Sequence, residues 1–146
     1  MSIIWRQQNE RRYSTARQTL RAWVVFCGQA DRPWLRLLKP GFRHCFLVMH
    51  DGAHWLSVDP MLGQMDVRVH DHVAAGFDLP GWLARRGHHV IAAPVSGRPP
   101  ARAAVLRFFT CVEAVKRMIG LHARNIHTPW QLYRYLAAHQ QPPKGE

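Results

Sequence analysis

The stretch Gly41-Phe42-Arg43-His44-Cys45-Phe46-Leu47-Val48-Met49-His50-Asp51-Gly52-Ala53-His54-Trp55-Leu56-Ser57-Val58-Asp59 reads as a β-hairpin. Residues 42–50 are a continuous strand-forming run, Asp51-Gly52 is among the strongest short-range hairpin signals, and residues 53–59 return before Pro60, which is expected to stop the strand. A two-residue turn at Asp51-Gly52 sets the register, so that Val48 faces Trp55 and His44 faces Asp59. Directly opposed residues of an antiparallel pair place their Cβ atoms about 4.5–5.5 Å apart on one face, within reach of an imidazole–carboxylate hydrogen bond. Asp59 would then hold the ring of His44, fix its tautomer and leave the other nitrogen to accept a proton. Alternation puts Phe42, Phe46, Val48, Trp55 and Ser57 on the face of His44 and turns Cys45 away. Cys45, like Cys27, therefore reads as a packed core thiol, and Trp55 as a core aromatic that could also shield the pair from water.

More strands flank the hairpin. Residues 22–27 are apolar and β-branched and end at Gly28; residues 64–70 alternate, with Met65, Val67 and Val69 on one side and Asp66, Arg68 and His70 on the other; residues 90–95 form a further strand. Residues 33–38 make one or two helical turns before Pro40-Gly41. Residues 79–86 form a short helix between an Asp78 cap and Gly87. Two helices follow, one from Thr110 to Gly120 with Val112, Val115 and Ile119 facing inward, the other opened by Thr128-Pro129-Trp130-Gln131 and burying Leu132, Tyr135 and Leu136. These elements predict an α+β fold in which a small antiparallel sheet carries a cysteine-bearing helix.

That cysteine is Cys111. In Thr110-Cys111-Val112-Glu113 the Thr and the Glu three positions on have the capping-box spacing, which puts Cys111 at the first helical position. Unpaired N–H groups and the positive end of the helix dipole there favour a thiolate over a thiol. A helix-start cysteine, a strand histidine and an acid on the neighbouring strand supply a nucleophile, a base and an orienter. The backbone N–H of Cys111 is the natural first oxyanion donor, with Gln29 and Ser96 as candidates for the second.

Composition bounds the rest. The 146 residues, 47% hydrophobic, suit one domain with a core of its own, over residues 22–139. Residues 1–21, with five arginines against Glu10, read as a basic arm that could bind partners or build an assembly, and residues 140–146 as a flexible polar tail. No apolar run is long enough for a membrane span, and three cysteines without CxxC spacing argue against a disulfide framework or a zinc knuckle. A reducing cytoplasm is the expected compartment. The formal charge of +11 implies an anionic partner, whether nucleic acid, cell-wall polymer or lipid head groups, while the absence of RNP, zinc-finger or bZIP patterns gives little support to sequence-specific nucleic-acid reading and leaves a nonspecific basic face. Ten histidines include His70-Asp71-His72, His88-His89 and the His50/His54 pair, but no HExxH or other compact ligand spacing, so neither metal nor cofactor is expected.

Gly41-Phe42-Arg43-His44 on a strand, followed by Thr110-Cys111-Val112-Glu113-Ala114-Val115 opening a helix, resembles the circularly permuted branch of the NlpC-type papain-like hydrolases. That branch includes lecithin:retinol acyltransferase-like and related bacterial proteins. Papain-like enzymes usually run Cys, His, Asn along the chain, whereas the order here is His44, Asp59, Cys111. The resemblance covers residues 23–120, mainly by element order. It implies a permuted papain-like fold, His44 as base, Cys111 as nucleophile, and as substrates the peptide amides of peptidoglycan, other isopeptides or lipid esters. Many acyltransferase-like members carry Asn where Thr110 stands and a second histidine where Asp59 stands. The chain is also similar in style to small proteins of tailed bacteriophages and prophages. That likeness implies virion association and an alternative role as a non-catalytic adaptor keeping the papain-like scaffold.

Overall fold

A computed structural model describes residues 20–29, 33–61, 64–95 and 110–140. The basic arm up to residue 19, Ser96 and its loop, and the tail beyond residue 140 lie outside the described residues. Five strands form one antiparallel sheet: β1 (Arg21–Cys27), β2 (His44–His50), β3 (Trp55–Met61), β4 (Gln64–His70) and β5 (His89–Ala93), in the order β4-β3-β2-β1-β5. The helices are α1 (Leu79–Arg85), α2 (Cys111–Ile119) and α3 (Pro129–Ala138), with a short 3-10 turn at Pro33–Leu37. The α+β class and the small antiparallel sheet are as expected from the sequence.

Alternation along the strands feeds two cores, one on each face. Val24, Phe26, Cys45, Leu47, Val58 and Ile91 pack against Val112, Val115 and Ile119 of α2 and Leu132 and Leu136 of α3. On the opposite face Val25, Val48 and Trp55 meet Leu79 and Leu83 of α1. Trp55 is 3% exposed, at the end of the sheet away from His44, where it packs on Trp23 and His50; it is an ordinary core aromatic and shields nothing at the histidine.

The caps follow local chemistry. Asp78 accepts from the N–H of Gly81 to open α1, and Thr128 and Gln131 form a complete, reciprocal capping box at α3. At α2 only half of the expected box is present: the Thr110 hydroxyl accepts from the N–H of Glu113 at 3.2 Å. The Glu113 carboxylate turns instead to Lys116 Nζ (2.9 Å) and Arg117 Nε (3.2 Å). Lys116 is buried and also donates to the Ile126 carbonyl at 3.1 Å, so a buried ammonium that needs partners has taken Glu113 from the cap.

The hairpin register differs from the sequence expectation by two residues. Val48 pairs with Ser57 and His50 with Trp55, across a four-residue loop of residues 51–54. A tight two-residue turn of the expected type needs positive φ at both central residues, and here only Gly52 has it (φ 103°). Asp51 instead closes the wider loop, its N–H donating to the His54 carbonyl and its Oδ1 accepting from the N–H groups of Ala53 and His54. A slip of one residue would turn every side chain to the wrong face; a slip of two keeps the faces. The return strand also runs through Pro60 to Met61, because the β2–β3 ladder ends at the Leu47–Val58 pair and beyond it β3 is partnered by β4 alone. A residue without an N–H is tolerated where one side of a strand has no ladder to supply.

Candidate active site

His44 opens β2, and the segment before it fixes where it stands. The Phe42 N–H donates to the Lys39 carbonyl (2.9 Å), and the Arg43 N–H donates to the Cys27 carbonyl (3.0 Å), carrying the β1–β2 pairing past the strand's end. Phe42 drops into the core shared with α3, its ring stacked on His89 at 4.5 Å and edge-on to Trp130 at 4.8 Å. The expectation that Phe42 shares a face with His44 is thus corrected: it precedes the strand, where alternation does not bind it.

The ring of His44 reaches Asp59, with Nε2 to Oδ1 at 2.6 Å. Extending the observed register sets Asp59 opposite Phe46, so the two are diagonal neighbours on one face rather than directly opposed, a separation long side chains bridge. Nε2 is committed to the carboxylate, and the ring also meets Cys111. Cys111, at the first position of α2, interacts with His44 and also with the Cys45 thiol and the Cys45 N–H. Consecutive strand residues point to opposite faces, so a sulfur reached from both His44 and Cys45 sits by the end of β2, at the margin of the core under α2.

The proton affinities of the three groups are set against their usual order. The hydrogen bond from the Cys45 thiol, then that from His44 and the charge of its ring, lower Cys111 from 9.0 to about 5 against the opposing effect of burial. For His44, burial favours the neutral ring, but the hydrogen bonds with Asp59 and Cys111 override it and raise the imidazole from 6.5 to about 10. Burial, then the neighbouring Cys111, pushes Cys45 well above an ordinary thiol. Between these limits the stable form is a Cys111 thiolate beside a His44 imidazolium, with Cys45 a neutral S–H donor.

His44, Asp59 and Cys111 are thus brought together. Cys45, read from the sequence as core packing, is the residue that reading missed; it is fully buried and also the strongest single influence on the Cys111 sulfur. Strict alternation gave no signal for it, and only the meeting of α2 with the end of β2 reveals the contact. Gln29 is exposed just beyond β1, at the sheet end marked by the Cys27–His44 pair, and Ser96 lies outside the described residues.

On the face of His44 and Asp59, a cavity of about 480 Å³ opens between the sheet and α1. It begins one alternate residue along each strand, at Phe46 and Ser57, and is closed by His70, Phe77, Trp82 and Leu83. Ser57 Oγ and His70 Nε2 are hydrogen-bonded at 2.8 Å on its wall. Among the described residues no three His, Cys, Asp or Glu side chains converge as a metal site, and no helix is long and apolar enough to cross a membrane. No family model, curated protein or solved structure matches the chain.

Proposed function

We propose that the chain is a cysteine-dependent acyl-transfer hydrolase of permuted papain-like type. Peptide or isopeptide amides, including those of peptidoglycan, are its substrates. The observation that carries this reading is the His44 ring held between Asp59 and Cys111, with the thiol acidified to about 5 and the imidazole raised to about 10.

The Cys111 thiolate attacks the substrate carbonyl carbon. The S–C bond forms as the carbonyl electron pair moves to oxygen, and the oxyanion meets the Cys111 N–H, one of the helix-start donors without an intrahelical acceptor. Collapse expels the amine, which takes its proton from the His44 imidazolium and leaves a thioester with a neutral imidazole. Water then gives a proton to His44 and attacks the thioester, releasing the carboxylic acid and restoring the ion pair. Asp59 holds the ring oriented throughout and stabilises its charged form. The cavity at Phe46 and Ser57 gives room for an apolar substituent of the acyl group.

Release of free amine from peptidoglycan fragments and isopeptides tests this reading. Wild-type protein is expected to release amine, Cys111→Ala and His44→Ala to lose at least about 100-fold, and Asp59→Asn to lose less. Cleavage of esters but not amides would move the substrate class to lipid esters. Release that survives in Cys111→Ala would remove the nucleophile from the scheme.

A further inference from the structure

Strand β4 is one of the two edge strands of the sheet, and among the described residues it pairs with β3 alone. Its seven residues alternate strictly. Met65, Val67 and Val69 lie on the face of α2 and are 45%, 59% and 57% exposed; Asp66, Arg68 and His70 lie on the face of His44. The strand holds three of the seven large apolar side chains exposed among the described residues. An open edge with an apolar face is a template for another strand, and natural edges are usually blunted by charged side chains, lysine above all, by proline or by a bulge. Residues 64–70 hold no lysine, proline or bulge and pair with β3 without a break in register, and their two charges, Asp66 and Arg68, are of opposite sign and neutralise each other.

The sequence of β4 indicates which strand fits it, because it is self-complementary about its midpoint. If a second copy of β4 is laid antiparallel with Val67 on the two-fold axis, Val67 opposes Val67, Met65 opposes Val69, and Asp66 opposes Arg68 twice over. Apolar rows then meet on one face and opposite charges on the other, the pairs that stabilise antiparallel neighbours. The alternatives are worse. An axis between residues sets Val67 against Asp66 or Arg68 and breaks the match of faces; an axis on residue 66 opposes two aspartates, and one on residue 68 two arginines. Within one chain Arg68 Nη2 already holds Asp66 Oδ2 at 2.6 Å, so both charges stand on the surface in position to be shared.

We infer that β4 is the dimerisation edge of the protein: a second copy docks antiparallel across a two-fold axis at Val67 and extends the five strands of each chain into one continuous sheet. Such an interface is isologous, and resting on one strand pair it is small, so the dimer is a reversible, concentration-dependent one.

Disulfide cross-linking combined with sedimentation tests it. Val67→Cys, made in a Cys111→Ala background, faces its own copy across the axis and is expected to give a disulfide-linked dimer under air. Asp66→Cys faces Arg68 of the second copy and is expected to cross-link at least about tenfold more slowly. In sedimentation equilibrium Asp66→Arg opposes arginines at both ends of the axis and is expected to weaken self-association at least about tenfold, and adding Arg68→Asp is expected to restore it. A wild-type protein that stays monomeric at its solubility limit would overturn the inference. So would Val67→Cys cross-linking no faster than Asp66→Cys, or a Val67→Lys variant that loses fold stability with no change in association, which would show that another segment of the same chain covers the strand. The cross-linking result stands even if a charge-reversed variant does not fold.

Discussion

Replacing either hydrogen-bonding partner of Cys111, by Cys45→Ala or His44→Ala, raises the pH at which its sulfur becomes reactive. The wild-type sulfur titrates at about 5 against 9.0 for an unperturbed thiol. At pH 7 these values correspond to thiolate fractions of about 99% and about 1%. The rate does not follow the fraction alone, because a less basic thiolate is also a weaker nucleophile. With a Brønsted slope of about 0.4–0.5 for disulfide exchange, about four pH units cost roughly 60-fold in intrinsic reactivity. At pH 7 the two effects nearly cancel, and Cys111 outpaces an ordinary thiol only about twofold; at pH 6 the advantage grows to about 15-fold. The discriminating measurement is therefore a full pH profile of the reaction with an aromatic disulfide probe, read by peptide mapping at Cys111. A wild-type midpoint near 5, shifted upward in both variants, is expected. A midpoint near 9 in the wild type, or one unmoved by either substitution, would refute the ion-pair reasoning.

Stability should also carry the signature of the pair. Cys111 is lowered on folding, so its contribution is complete above 9.0 and lost as pH falls toward about 5; His44 is raised, so its contribution is complete below 6.5 and lost as pH rises toward about 10. The wild-type melting temperature relative to a Cys111→Ala, His44→Gln variant is then expected to be flat between 6.5 and 9.0 and to fall on both sides; a difference growing steadily into acid would contradict it. In α1 a Cβ on Gly81 would collide with the Asp78 carboxylate that caps the helix, so Gly81→Ala should cost about 1–2 kcal/mol in urea unfolding, and a neutral result would remove that cap from the account. Leu132→Ala, at a fully buried position of α3, should cost about 2–5 kcal/mol, and a loss below about 1 kcal/mol would mean that α3 does not close the core. Lys116→Ala should destabilise by about 1–3 kcal/mol, since it leaves the Ile126 carbonyl without its donor, and urea unfolding at constant pH reads this directly.

The pattern of the chain makes most of the scaffold legible. Alternating strands, Gly and Pro punctuation and the Asp78 and Thr128 caps locate the elements because each signal is local and does not depend on packing. The His44–Asp59 contact survives an incorrect turn for a specific reason: the loop at residues 51–54 is two residues longer than expected, and an even slip keeps side chains on their faces. The failures occur where tertiary demands override local ones. Glu113 leaves the α2 cap for a buried Lys116, Pro60 stays inside β3 because β2 no longer pairs there, and Phe42 leaves the face of His44 for the core beneath α3. Cys45 is the most consequential of these. Alternation assigns it to the opposite face from His44, and only the way α2 meets the end of β2 lets one sulfur touch both.

Capture of an acyl-enzyme tests most directly whether Cys111 is the nucleophile. On brief exposure to p-nitrophenyl acetate followed by acid quench and peptide mapping, the acetyl group is expected on the Cys111 sulfur as a thioester. It should form in a burst with p-nitrophenolate release, be absent from Cys111→Ala, and form and decay more slowly in His44→Ala. Acetylation confined to surface lysines, or spread equally over Cys27, Cys45 and Cys111, would contradict the assignment of Cys111 as the nucleophile.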